Sequence, residues 1–135
     1  VEQVFDQSVG DIFVARVAGN FENTDILGSL EYSCAVAGSK LVFVLGHESC
    51  GAVTAAVAGG DNGYNLNHLL AHITPAISAS AENATITDVI HKNAKFTVTE
   101  LCTRSSIIRS AVDSGDVKIV SAYYNLGSGK VDFDA

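Results

Sequence analysis

His47 and Cys50 stand three residues apart in Gly46-His47-Glu48-Ser49-Cys50-Gly51. At that spacing one turn of chain can bring an imidazole nitrogen and a sulfur onto a single metal ion, and zinc suits such an N/S pair. Unpaired N–H groups at the start of a following helix favour anionic ligands at that end. Gly46 and Gly51 are expected to let the backbone bend around the pair. A tetrahedral zinc site takes three or four protein ligands, and this stretch supplies two. The same residues therefore also read as a loop histidine beside a buried structural cysteine.

The elements that must hold this stretch are legible on both sides. Residues 41–45, Leu-Val-Phe-Val-Leu, lack polar alternation and predict a short strand buried on both faces, as parallel sheets require. An Ala-rich helical run follows at once, so the His/Cys pair falls at the carboxyl end of a strand, where open α/β sheets place their ligands. Upstream, residues 12–17 read as a strand that closes at Ala18-Gly19-Asn20. Asn23-Thr24-Asp25 then caps a helix with Ile26, Leu27, Leu30 and Cys34 at helical spacing, ended by Gly38. Strand, helix and strand make a βαβ unit with a right-handed crossover.

Downstream, Gly59-Gly60-Asp61-Asn62-Gly63 is a loop. Helical patterns cover residues 66–77, 87–101 and 105–114, and residues 117–123 form the last strong strand. Gly127-Ser128-Gly129 turns the chain into a short antiparallel edge strand over residues 130–133. The predicted architecture is α/β, a mostly parallel sheet flanked by helices with an antiparallel C-terminal edge strand, in one domain over residues 1–135.

Composition narrows the function classes. With 135 residues and 47% hydrophobic content the chain can bury a core. No apolar run approaches the roughly 18 residues of a membrane span. A net charge of -7 without a basic cluster opposes nucleic acid and anionic lipid, which leaves a small molecule or a protein as partner. Cys34, Cys50 and Cys102 are odd in number and widely separated, so a reducing compartment is expected, cytoplasmic or an organelle stroma or matrix. The chain contains no Met and begins at Val1, which reads as a cut rather than a native start.

An ordered set of segments carries a family resemblance over essentially the whole chain. Phe5-Asp6-Gln7, residues 10–20, Leu30-Glu31-Tyr32, residues 46–51, residues 122–126 and Gly129-Lys130-Val131 together resemble a β-class carbonic anhydrase. The resemblance implies that family's fold and a zinc lyase interconverting carbon dioxide and bicarbonate, as a homodimer or dimer of dimers. In the family two Cys and one His hold the metal, and His47 and Cys50 match the His and the second Cys. Phe13 and Tyr32 match aromatics closing the substrate pocket, Ala18 and Asn20 fall on the stretch lining the same cleft, and Gly51 matches the glycine beside the site. The family's first Cys lies in Cys-x-Asp-Ser-Arg, with the catalytic Asp–Arg pair. That motif would end a few residues before Val1, and its strand would lie centrally, between residues 12–17 and 41–45. The catalytic residues are therefore unassigned, and the chain by itself is expected to bind zinc weakly and to be impaired or inactive.

Other chemistry-bearing residues read more simply. Cys34 and Cys102 are expected as buried structural thiols. His68 and His72, four apart on a helix, could share a metal, but no third ligand is evident, so a surface or partner-facing role is expected. His91 reads as solvated, and Asp132 and Asp134 as a charged edge that discourages strand pairing. Two classes of function follow: a zinc enzyme acting on carbon dioxide, or on a related small electrophile such as carbonyl sulfide, and a non-catalytic dimerising scaffold.

Overall fold

Helix α5, Ile86–Arg104, is the longest element of the computed structural model, which describes residues 1–134. Val89, Ile90, Asn93, Ala94, Thr97 and Leu101 recur along it at helical spacing and form its buried face. Thr85 and Asp88 close its N-terminus with a capping box, each side chain bonding the other's backbone N–H. Before it come α1 (Thr24–Ala35), β1 (Leu41–His47), α2 (Gly51–Ala58), α3 (Tyr64–Ala71) and α4 (Thr74–Ser78). After it come α6 (Ser106–Asp113), β2 (Lys118–Tyr124) and β3 (Val131–Phe133).

The sheet has the order β1-β2-β3. β1 and β2 are parallel, with Leu41 opposite Lys118 and His47 opposite Tyr124, and β3 returns antiparallel to β2 with Phe133 opposite Ala122. Two apolar clusters lie between helices and sheet. Leu27, Val42, Val44, Ala94, Leu101, Ile108 and Val117 form one, beneath α1, α5 and α6. Cys50, Val53, Leu70, Ile73, Val89, Ile90 and Tyr123 form the other, around the start of α2. The α/β class, the parallel pair and the antiparallel edge strand are those expected from the sequence.

Three details differ. Residues 12–17 are not a strand: they run as irregular chain, with Phe13 45% and Val14 39% exposed. A strand exists through its ladder, and no strand lies beside this segment among the described residues. The βαβ unit expected around α1 is consequently not formed. Residues 41–45 are buried on one face only, because the helices pack against that side of β1. Val42 and Val44 point to the core, while Leu41 and Phe43 are 46% and 37% exposed. The outer face is partly covered by aromatic rings, Phe43 lying 5.4 Å from Phe5 and 5.6 Å from Phe133. Finally, residues 66–77 are not one helix. The chain breaks between α3 and α4, where Pro75 in the first turn of α4 has no N–H to continue the preceding ladder.

Candidate metal centre

His47 is the last residue of β1 and is exposed, whereas Cys50 occupies the N-cap position of α2 without a side-chain capping bond and is 2% exposed. The chain turns between them at Ser49, whose φ of 57° is left-handed. Neither flanking glycine supplies the bend, contrary to the expectation from sequence. Gly46 lies within the strand, and a Cβ there would meet Ile90 Cγ2 at 2.9 Å, so this glycine permits the close approach of α5 to β1. Gly51 is already the first residue of α2, and nothing lies within 4 Å of where its Cβ would be.

The histidine is oriented by its neighbour. His47 Nδ1 lies 2.9 Å from the Glu48 carbonyl oxygen. A carbonyl only accepts, so Nδ1 is the donor in this contact, which in the neutral ring leaves the lone pair on Nε2. A metal-ligating imidazole is held in this way, its second nitrogen bonded to a carbonyl or carboxylate. Glu48 is itself tied across the sheet end. Its N–H donates to the Tyr124 carbonyl at 2.9 Å, and its Oε2 accepts from the Leu126 and Gly127 N–H groups at 2.8 and 3.2 Å. The sequence reading missed this residue. Its partners lie 78 and 79 positions away, and no local pattern announces a carboxylate folding back onto a distant hairpin.

The expected pocket residues fall in two groups. Phe13 and Tyr32 come together with ring centroids 6.4 Å apart, both exposed. Gly19, at φ 85°, seats against Ala52 of α2 and Ile73, and its carbonyl accepts from the buried Asn93 Nδ2 at 2.7 Å. Ala18 is exposed beside it, and Asn20, at φ 42°, has a buried Nδ2 without a partner. Among the described residues no hydrogen bond or ring contact joins Phe13, Ala18, Asn20 or Tyr32 to His47 or Cys50. No group of three or more His, Cys, Asp or Glu side chains comes together as a metal site among them either. The donor set fits zinc in kind, one imidazole nitrogen and one sulfur, and covers two positions of a tetrahedron.

The remaining residues are engaged elsewhere. Cys34 and Cys102 are half-buried against the first core cluster, and burial pushes the Cys34 thiol up from its ordinary value. His72 stacks on Phe21 at 4.0 Å, with His68 edge-on to it at 5.3 Å. Burial, with smaller contributions from His68 and Arg104, holds His72 below the usual imidazole range against an opposing pull from Glu22. His91 is not simply solvated: it is half-buried, stacks on Tyr123 at 4.5 Å and bonds Asp134 at 3.0 Å. Asp134 also accepts from Ser121 Oγ at 3.0 Å, so it fastens the segment after β3 onto β2 rather than leaving a bare charge at the edge.

Known proteins with these features agree with one another. The carbonic anhydrase family model matches residues 1–131. Carbonic anhydrase 2 of Mycobacterium tuberculosis strain H37Rv is 33% identical over 135 residues, spanning 96% of this chain and 65% of that protein. Carbonic anhydrase of Mycolicibacterium smegmatis is 34% identical, spanning 97% and 66%. The chain thus covers about two thirds of the length of these relatives. Among solved structures, the Coccomyxa β-carbonic anhydrase in complex with acetazolamide superposes with a TM-score of 0.88 at 22% identity, over 98% of this chain and 64% of that one. A tetrameric β-carbonic anhydrase of Sordaria macrospora gives 0.85 at 18%, over 98% and 72%. The family match over nearly the whole chain, the relatives above 30% identity and the shared fold make this chain a member of the β-class carbonic anhydrase family.

Proposed function

We propose that the chain provides the His-x-x-Cys part of a zinc site for reversible hydration of carbon dioxide to bicarbonate. The observation that carries this reading is the His47 ring, locked by Glu48 with Nε2 available, one tight turn from Cys50. His47 Nε2 and Cys50 Sγ would hold the ion, which when bound supplies Lewis acidity to an oxygen nucleophile. Phe13 and Tyr32, exposed on the single chain and without contact to His47 or Cys50, would serve the pocket of a neighbouring subunit, where their rings would keep water from a carbon dioxide molecule. Asn20 Nδ2, buried and unpartnered, is a donor suited to a bicarbonate oxygen. The Asp and Arg of a Cys-x-Asp-Ser-Arg segment, with its Cys as a third ligand, would complete the reaction centre. Assembly as a homodimer or dimer of dimers is the family's expectation, and a reducing, cytoplasmic setting accords with three free thiols. Carbonyl sulfide is a related electrophile open to the same chemistry. The two-donor set favours a second reading, a dimerising scaffold without catalysis.

Zinc content and stopped-flow carbon dioxide hydration separate these readings. The 135-residue chain alone is expected to bind zinc weakly and to hydrate little. Joining a Cys-x-Asp-Ser-Arg segment ahead of Val1 should raise both, and His47→Ala or Cys50→Ser should remove them again, because losing one ligand breaks the tetrahedral set. No gain on extension would favour the scaffold. Stoichiometric zinc and rapid hydration by the chain alone would mean that another residue completes the site.

A further inference from the structure

Glu48 uses its amide, its carbonyl and its carboxylate at once. The N–H is held by the Tyr124 carbonyl, the carbonyl takes the His47 Nδ1 proton, and Oε2 docks on the Leu126 and Gly127 amides. The hairpin on which it docks is itself braced. Asn125 N–H donates to the Lys130 carbonyl at 2.9 Å, Gly129 N–H to the Asn125 carbonyl at 2.9 Å, and Ser128 N–H to Asn125 Oδ1 at 2.8 Å. On the other side, Ser49 sits in a left-handed conformation that a non-glycine residue keeps only where its surroundings hold it. The peptide plane joining Glu48 to Ser49 is therefore gripped from both ends, and that plane carries the carbonyl that sets the His47 tautomer.

We propose that Glu48 is the positioning residue of the metal centre: its carboxylate, bolted to two backbone amides of the β2–β3 hairpin, fixes the carbonyl that keeps His47 protonated at Nδ1 and ligating through Nε2. The proposal rests on the reading of His47 and Cys50 as metal donors. Glu48 touches neither metal nor substrate; it acts through His47. A carboxylate suits the task because it is acceptor-only and can face two N–H groups at once, and charge makes each bond stronger than an amide oxygen would. Asp at this position would keep the charge but fall one methylene short of the hairpin.

The test compares the native chain with Glu48→Ala, Glu48→Asp and Glu48→Gln, each checked for a cooperative thermal transition. Cobalt(II) is the probe, read by its thiolate charge-transfer absorption, with Cys50→Ser as the control that removes the band. Loss of a partner that orients a ligand weakens metal binding about 10–100-fold. That loss is expected for Glu48→Ala and equally for Glu48→Asp, with Glu48→Gln recovering most of the affinity because it keeps an acceptor oxygen of the right reach. A second arm needs no metal: nitrogen-15 shifts of the His47 ring should report one Nδ1–H tautomer in the native chain and in Glu48→Gln, and a mixture in Glu48→Ala and Glu48→Asp. Unchanged cobalt affinity and a single tautomer in the Asp or Ala variant overturn the proposal. A native chain without a Cys50-dependent band shows the weak binding expected of two donors, and the comparison is then made in the chain extended ahead of Val1 by a Cys-x-Asp-Ser-Arg segment; no Cys50-dependent band there overturns the metal reading, while the tautomer arm still decides the role of Glu48.

Discussion

Replacing Gly46 by Ala tests why a glycine precedes His47. The new Cβ would stand 2.9 Å from Ile90 Cγ2, with the Ile90 and Ala122 carbonyl oxygens at 3.6 and 3.7 Å. Carbon atoms prefer roughly 3.5–4.0 Å, so about 0.6–1 Å of separation must be found. Ile90 is 1% exposed, and its β-branched side chain has one strongly preferred rotamer on a helix, so the gap opens only if α5 and β1 part. Overpacking of this kind costs about 1–3 kcal/mol, and the lower backbone freedom of the unfolded Ala chain offsets roughly 0.4–1 kcal/mol. A net loss of roughly 0–2.6 kcal/mol, centred on about 1.3 kcal/mol, is expected, read by urea denaturation followed by far-ultraviolet circular dichroism. Ile90→Leu removes Cγ2 at a cost below about 1.5 kcal/mol. In the double variant the two changes should then be non-additive by about 1 kcal/mol in the relieving direction. If Gly46→Ala is as stable as the native chain, or if the pair adds without coupling, the close approach is not what the glycine serves.

Two further perturbations probe the packing around α5. Arg104 Nη1 donates to both Oε1 and the backbone carbonyl of Glu22 at 2.8 Å, and the Glu22 side chain is 8% exposed. Arg104→Ala strands that carboxylate. Breaking a buried pair costs about 3–5 kcal/mol, and the partial exposure of Arg104 lowers the expectation to roughly 2–3 kcal/mol, measurable by urea denaturation and largely recovered by adding Glu22→Gln. His72 gives a pH dependence of definite sign. Its folded pKa lies below the ordinary 6.5, so the unfolded chain takes up the proton first as pH falls. The contribution of His72 is complete above about pH 6.5 and is lost progressively below it, down to the folded value. Between pH 7.5 and 5.5 the native chain should lose more thermal stability than His72→Gln; an equal loss in both would mean that the imidazole is not held neutral.

What the sequence made legible is what local pattern determines. Asn23 caps α1 through its side-chain oxygen, and the apolar spacing within residues 87–101 marks most of α5. The apolar run at residues 41–45 and the chain at residues 117–123 mark two parallel strands, which the structure pairs as neighbours. What misled were features set by neighbours. Residues 12–17 have strand composition, but the ladder that would make them a strand must come from another segment. In β1 the unbroken apolar run says only that both faces tolerate cover. Which face receives it is decided by α5 on one side and by the rings of Phe5 and Phe133 on the other.

The candidate site divides along the same line. Donor identity is a matter of residue type and spacing, so His47 and Cys50 could be named from one short stretch. Donor geometry is not, because it depends on where the Glu48 carbonyl points, and that is settled by two amides on a hairpin at the far end of the chain. The glycines illustrate the error that results. Read locally, Gly46 and Gly51 look like hinges, yet the turn is made at Ser49 while Gly46 admits a side chain of α5. A His-x-x-Cys stretch on a mobile loop would offer the same donors without fixing the imidazole tautomer. Here the Glu48 carbonyl stands ready for an Nδ1–H donor before any metal arrives, so less ordering would remain to be done on binding, and that preorganisation resides in residues 48 and 124–130 rather than in the ligands themselves.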